Sequence, residues 1–189
     1  MKLNLGCGRS TLYGWTNVDR IQLPGVDVVA DLNEALPFED DSAEEILLSH
    51  TLEHIENTLP LMQELHRIAK PGALLVVAVP YGTSDDAWED PTHVRPYFLG
   101  SFNYFSQPFY WKADYGFRGD WKTEEIVIVA DDRFRGKEPA EIARALHTER
   151  NVAREMVVSM RAVKPIREPL RALQEPNKIT VIFQGDQQP

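Results

Sequence analysis

Short apolar runs alternate with short polar connections through residues 1–81. The runs at 3–5, 26–32, 45–50 and 73–80 are rich in aliphatic residues, which is typical of strands buried on both faces of a parallel sheet. A further short strand is predicted to end at Asp19. Leu59–Ala69 instead has apolar residues three and four positions apart, which predicts an amphipathic helix. This alternation predicts an α/β fold.

The pattern changes after residue 81. Residues 82–122 combine polar turn formers with aromatic side chains, and this segment should lie where a substrate enters the sheet edge. Two more strands are predicted at Glu124–Ala130 and Asn177–Phe183. Between them, residues 136–176 are predicted to form a helical insert, because several apolar residues follow near-helical spacing. These residues are Ile142, Leu146, Val152, Met156 and Met160. By default the insert covers the sheet, with closure over a substrate or dimerisation as alternatives.

Composition narrows the class of protein. The 189 residues suffice for one well-packed domain, predicted over 1–189. The net charge of −9 argues against binding nucleic acid or an anionic membrane through bulk electrostatics. The longest apolar run is far shorter than the roughly 20 residues that span a bilayer. With a single cysteine and no leader before the first strand, the expectation is a cytoplasmic enzyme-sized domain.

The first candidate site is the glycine pair Gly6 and Gly8, directly after the first strand. Glycines there allow a ligand to lie on the backbone. Asp19 ends the next strand, and its carboxylate suits the two hydroxyls of a ribose. A dinucleotide-binding loop would require a third glycine where Thr11 stands. The stretch therefore predicts a nucleoside site and disfavours a nicotinamide or nucleotide-sugar enzyme.

This strand and turn resemble motif I of the class I S-adenosylmethionine-dependent methyltransferases. Further matches follow in the order of the type 11 subgroup of that family. They are Asp31-Leu32, Pro37 to Asp40, Leu52-Glu53-His54, Glu64 to Arg67 and Lys70-Pro71-Gly72. The resemblance implies a Rossmann-like fold with a mostly parallel seven-stranded sheet and an antiparallel last strand. It also implies S-adenosylmethionine as cofactor and S-adenosylhomocysteine as product.

The N-terminal region departs from this family pattern. Asp19 follows Gly8 by only eleven positions, which is too short for a three-turn helix and its connections. The early helices should therefore be trimmed, leaving one face of the sheet thinly covered. Asn4 also stands where the family often has an acid, which predicts one contact fewer to the methionine end.

The resemblance also implies which residues bind the cofactor. Asp31 and Leu32 should bind the adenine, and Asp19 should bind the ribose. The full predicted set is Gly6, Cys7, Gly8, Asp19, Asp31, Leu32 and His50. Beside two glycines, Cys7 is predicted to be a small residue that lets the ligand approach, and not a nucleophile.

Candidate catalytic residues follow the fourth and fifth strands. Methyl transfer from a sulfonium depends mainly on holding the donor and the acceptor in position, and it requires a base only when the acceptor atom carries a proton. His50 could be that base or a structural histidine at a strand end, and these two interpretations are equally open. Glu53 and His54 are predicted to orient neighbouring groups. No metal site is predicted.

The acceptor side is assigned to a segment similar to the D-P-x-H-x-R pattern of the subgroup. His93 is the first choice for a base or an acceptor-orienting residue, and Arg95 for holding an anionic group. Tyr97 and Tyr104 are predicted to contact the substrate. The predicted function is methylation of an oxygen or nitrogen atom of a small molecule, such as a sugar or secondary metabolite. The alternative is a catalytically silent binding domain of the same fold.

Overall fold

A computed structural model describes residues 1–186, so residues 187–189 of the predicted domain lie outside the described part. Within residues 1–186, eight strands form a single mixed sheet. The strands are β1 (Lys2–Leu5), β2 (Thr16–Asp19), β3 (Val28–Val29), β4 (Ala43–Ser49), β5 (Ala69–Pro80), β6 (Trp121–Ala130), β7 (Ala153–Ala162) and β8 (Lys178–Phe183).

Helices are few in this sheet-dominated chain. In the described residues they are α1 (Thr58–Ile68), α2 (Asp86–Glu89) and α3 (Pro139–Thr148), with short 3₁₀ turns such as Leu52–His54. The helix predicted over 59–69 is confirmed as α1, whose apolar face is buried in the core. Across residues 1–186, no helix has the length and apolarity needed to cross a bilayer.

The strand order is β3-β2-β1-β4-β5-β7-β6-β8. All strands run parallel to one another except β7, which is antiparallel to both of its neighbours. This confirms the Rossmann-like, mostly parallel sheet. The details differ from the expectation: there are eight strands and not seven, and the last strand, β8, is parallel to β6.

The predicted helical insert, 136–176, is wrong over much of its length. In the described residues α3 is helical near its start and Arg171–Leu173 is a short 3₁₀ turn near its end, but Ala153–Ala162 is the strand β7, inserted between β5 and β6. Its buried residues alternate: Met156, Val158 and Met160 are fully buried. Apolar residues four positions apart fit a strand as well as a helix, because four is a multiple of the strand period of two. Ala153–Ala162 is therefore part of the sheet and not a cover for it.

The predicted trimming of the early helices is confirmed. Within the described residues, β1, β2, β3 and β4 are joined without an α-helix. Buried amide side chains hold the β1–β2 connection instead. Asn4 Nδ2 donates to the Ser10 carbonyl at 2.9 Å and to Asn17 Oδ1 at 3.0 Å, and Asn17 Oδ1 also accepts from the Leu12 amide at 2.8 Å. These bonds satisfy backbone groups that a helix would otherwise pair.

A buried ion pair anchors the long segment between α2 and β6. The Asp120 side chain is fully buried, and its two oxygens accept from Nη2 and Nε of Arg167, both at 2.8 Å. Asp120 Oδ1 also accepts from the Gln107 amide at 3.1 Å. The aromatic side chains of Phe102, Phe105 and others in this segment join the core. The segment is thus held against the sheet and not left as an open loop.

Candidate active site

The candidate site lies at the carboxyl ends of the central strands, where the strand order reverses between β1 and β4. Open α/β sheets bind ligands at such reversals. Gly6 follows β1, Asp19 ends β2 and His50 follows β4. A cavity of about 460 Å³ opens here, which we call the glycine cavity. Its lining includes Gly6, Asp19, Arg20, Asp31, Leu32, Asn33, His50, Thr51, His54, Ile55, Glu56, Thr92 and Val94.

Gly6 and Gly8 are glycines for different reasons. Both have positive φ, +66° and +52°. A Cβ at Gly6 would lie 2.3 Å from the side chain of Thr51, whereas a Cβ at Gly8 would meet no atom within 4 Å. Gly6 therefore permits a close internal contact, and Gly8 leaves open space above the backbone.

Burial raises the pKa of the Cys7 thiol, with Asp19 adding to the effect, so Cys7 is held in the protonated form.

The Asp19 carboxylate is fixed by two backbone amides at the cavity edge. Its Oδ2 accepts from the Gly8 amide at 2.8 Å, and its Oδ1 accepts from the Ile21 amide at 3.0 Å. A carboxylate offers about four acceptor positions, so each oxygen can take one more hydrogen bond. The structure therefore presents a preorganised acceptor for two neighbouring hydroxyls.

Asp31 forms a second fixed carboxylate on the same cavity. Its Oδ1 accepts from the backbone amide of Asn33 at 2.9 Å and from Nδ2 of that residue at 3.1 Å. These bonds keep the pKa of Asp31 below its usual value. Leu32 and Ile55, each 6% exposed, add apolar surface. A flat apolar ring with an amino group would suit this combination.

His50 lies where the glycine cavity meets a second cavity, and it lines both. Its φ of +50° is unusual for a residue with a side chain. Nε2 is 3.0 Å from Glu155 Oε1, and Nδ1 is 3.6 Å from Glu53 Oε1. The hydrogen bond to Glu155 raises the pKa of His50 to about 10, and the Glu53 carboxylate 3.6 Å away adds to this effect, although desolvation opposes it. A protonated ring has no lone pair, which argues against the predicted base at this position.

The second cavity has a volume of about 570 Å³ and is strongly acidic, and we call it the acidic cavity. Among residues 1–186, five carboxylates and one arginine line it. The charged residues are Glu53, Asp86, Glu89, Asp90, Glu155 and Arg154. His50 and His54 line both cavities, and His93 lines the acidic one. The two cavities therefore share a wall.

The hydrogen-bond network indicates the tautomers of His54 and His93. His93 Nδ1 is 3.2 Å from the Ala87 carbonyl, which can only accept, so Nδ1 carries the proton. His54 Nδ1 is 2.9 Å from Thr92 Oγ1, and that hydroxyl donates to Asp90 Oδ1 at 2.6 Å. The hydroxyl must then accept from His54 Nδ1. In this tautomer, Nε2 of each ring has the lone pair.

Three predicted substrate residues lie outside both cavities. Arg95 is exposed and lines neither cavity in the described residues. Tyr97 is 2% exposed, and its hydroxyl donates to the Leu52 carbonyl at 3.3 Å, which is a core contact. Tyr104 is 61% exposed and belongs to the aromatic segment. The structure places Gly6, Asp19, Asp31, Leu32 and His50 on the glycine cavity and His93 across the shared wall. Cys7 and Gly8, which belong to the same predicted set, are not among the residues that line either cavity.

Some residues of the site escaped the sequence reasoning. Glu155 and Arg154 belong to β7, which was expected to be helical, so no sequence signal placed them at the sheet edge. Glu53 and His54 belong to the quoted Leu52-Glu53-His54 motif, but their position between the cavities depends on the turn after β4.

The sequence and the fold are similar to those of known methyltransferases. Residues 15–77 match the family model described as a methyltransferase domain, of type 11. This range covers a third of the chain, starts after the glycine turn and contains Asp19, Asp31 and His50. The fold is that of the S-adenosylmethionine-dependent methyltransferases. Together these findings confirm the resemblance to class I enzymes of the type 11 family.

Individual relatives are distant. A 65-residue stretch is 34% identical to a demethylmenaquinone methyltransferase of Renibacterium salmoninarum, and it spans 27% of that relative's length. A methyltransferase structure from Archaeoglobus fulgidus has a TM-score of 0.60, with 18% identity over 84% of each chain. A possible histamine N-methyltransferase from Thermotoga maritima has a TM-score of 0.55, with 16% identity over 86% of this chain and 82% of that one.

Proposed function

We propose that this chain transfers the methyl group of S-adenosylmethionine to a nitrogen or oxygen atom of a small molecule held in the acidic cavity. The observation that carries this proposal is the wall shared by the two cavities, to which His50 and His54 both belong. A nucleoside in the glycine cavity and an acceptor in the acidic cavity would be neighbours.

The glycine cavity fits the proposed cofactor on its own geometry. Gly6 brings backbone without a side chain to the lining, and the Asp19 carboxylate is held ready for a ribose diol. Asp31 offers an acceptor for an exocyclic amine beside the apolar surface of Leu32. The family match and the fold imply the same cofactor. When bound, S-adenosylmethionine supplies an activated methyl group on a sulfonium.

The contribution of the chain is then mostly positioning. Holding two reactants in line can supply several kcal/mol of a displacement barrier. The cavity walls do this with side chains that are themselves held: His93 by the Ala87 carbonyl, and His54 by Thr92. We assign His93 to the acceptor, because His93 lines the acidic cavity and the Ala87 carbonyl holds its Nδ1, which leaves Nε2 available.

The charge of the acidic cavity favours one kind of acceptor. With five carboxylates in its described lining, it attracts cations and repels anions. An amine or a neutral hydroxyl compound should therefore enter more readily than a carboxylate or phosphate. Arg95, expected to hold an anionic group, lies outside the cavity and would not change this balance.

The proposal can be tested by measuring S-adenosylhomocysteine release from S-adenosylmethionine with matched amine, alcohol and carboxylate acceptors. Amines or neutral alcohols should react, and Glu89→Lys, on the cavity wall, should raise their KM about tenfold. The exposed Glu39→Lys lies outside both cavities and should behave like the wild type.

Two results would contradict the proposal. Failure to bind S-adenosylhomocysteine at millimolar concentration in calorimetry would refute the assignment of S-adenosylmethionine as the cofactor. Tight binding without methyl transfer to any acceptor class would favour the alternative, a catalytically silent domain of the same fold.

A further inference from the structure

We propose that Glu53, His54 and His93 bind a divalent transition-metal ion of the zinc class at the wall of the acidic cavity. One potential ligand atom from each residue lies within 4.8 Å of those of the other two. The residues come from two separate parts of the chain, the turn after β4 and the segment after α2. A hydrogen bond from the Val94 amide to the Glu53 carbonyl, at 2.8 Å, joins these parts.

Glu53 is the buried carboxylate of this group, and its oxygens are available to a metal ion. Its side chain is 3% exposed, yet among the described residues neither carboxylate oxygen has a hydrogen-bond partner. Its Oε1 lies 3.6 Å from His50 Nδ1. A buried carboxylate without hydrogen bonds is costly, because the water it loses is not replaced. A metal ion bound to its oxygens would compensate that loss.

The two histidines are arranged as metal ligands usually are. Imidazoles that bind a metal generally donate their other N–H to a carbonyl, a carboxylate or another polar group, which fixes the ring. His93 does this with the Ala87 carbonyl, and His54 does it with Thr92, whose hydroxyl in turn bonds Asp90. Each ring therefore keeps Nε2 free to coordinate. The rings lie edge to face, with their centroids 4.7 Å apart.

The donor set indicates the metal. Two imidazoles and a carboxylate suit Zn²⁺ and its neighbours, whereas Mg²⁺ and Ca²⁺ prefer oxygen alone. Bonds of about 2.0–2.1 Å place tetrahedral ligand atoms about 3.3 Å apart. The three ligand atoms, now within 4.8 Å of one another, would therefore move slightly closer together when the ion binds. Asp90 Oδ2, at 3.9 Å from His93 Nε2, adds negative charge at its edge.

Three protein ligands leave one coordination position open to the cavity, as in catalytic zinc sites. A nitrogen or oxygen atom of the acceptor could occupy it, so His93 would act on the acceptor through the ion. This last role rests on the proposed function, whereas metal binding does not.

The test measures Zn²⁺ binding to the full chain after treatment with a chelator, by calorimetry and by competition with a coloured chelator. The wild type should bind one ion, and Co²⁺ should give the visible absorption of a tetrahedral site. His93→Ala, His54→Ala and Glu53→Gln should each weaken binding at least about 100-fold. Thr92→Val, which removes only the hydroxyl that holds His54, should weaken it about tenfold. His147→Ala, an exposed histidine outside both cavities, should bind like the wild type.

Two outcomes would overturn the inference: no Zn²⁺ binding by the wild type at about 100 µM, or an equal loss in His147→Ala and His93→Ala. Thermal unfolding of each variant separates loss of the site from loss of the fold. Parallel titration with S-adenosylhomocysteine separates the two proposals. Cofactor binding without Zn²⁺ binding would refute only the proposed metal site. Zn²⁺ binding without cofactor binding would refute only the proposed function.

Discussion

Asp19→Asn tests the central feature of the glycine cavity, because it removes the charge of Asp19 with almost no change of shape. The carboxylate accepts from the Gly8 and Ile21 amides and has one further acceptor position on each oxygen. The amide keeps one acceptor oxygen and presents an NH₂ group in place of the other. One backbone amide would lose its partner, and a ribose diol would lose at least one strong acceptor.

The size of the effect follows from these bonds. A hydrogen bond to a charged group contributes about 1.5–3 kcal/mol, so two weakened bonds to the ribose should cost about 3 kcal/mol. Since 1.4 kcal/mol is a factor of ten in Kd, S-adenosylhomocysteine should bind about 100-fold more weakly. The unpaired backbone amide should cost only about 1 kcal/mol of folding free energy, because Asp19 is partly exposed.

Calorimetric titration with S-adenosylhomocysteine measures the first effect, and thermal unfolding measures the second. Asp114→Asn is the matched control, since Asp114 is an exposed carboxylate outside both cavities that pairs with Arg118. A folded Asp19→Asn protein that binds within threefold of the wild type would refute the assignment of Asp19 to the ribose. Asp31→Asn offers a second test should Asp19→Asn not fold, with an expected loss of about tenfold in Kd.

Two further predictions concern stability. Asp120→Asn leaves the Arg167 guanidinium without its buried partner, so the free energy of unfolding should fall by about 3–5 kcal/mol. Calorimetry should then show Tm about 10 °C lower, and a loss under about 1 kcal/mol would contradict the buried pair. Hydrogen bonds from Arg67 lower the pKa of Glu64 below its usual 4.5. The stability they contribute is therefore present above pH 4.5 and lost as the pH falls through the lowered pKa. Urea unfolding should show that the wild type and Glu64→Gln differ in stability at pH 7 and converge as the pH falls through the lowered pKa, whereas a gap that does not change with pH would rule out this linkage.

Local patterns determined the first half of the fold and most of the glycine cavity. The aliphatic runs of β1, β4 and β5 are typical of buried parallel strands, and α1 has the helix period. Because parallel strands end at one edge of a sheet, the sequence alone predicts that Gly6, Asp19 and His50 lie together. The shortness of the β1–β2 connection likewise excluded a helix there, since its length is a property of the sequence.

The acidic cavity, by contrast, was decided by tertiary structure. Its walls come from the turn after β4, the segment around α2, and β7, which are far apart in the chain. The apolar spacing of β7 fits both a helix and a strand, and only pairing with β5 and β6 resolves the ambiguity. Tyr97 shows the same limit, because its motif pointed to a substrate while packing placed it in the core. Local periodicity specifies which face of an element is apolar, but only the packed fold determines which distant side chains share a cavity.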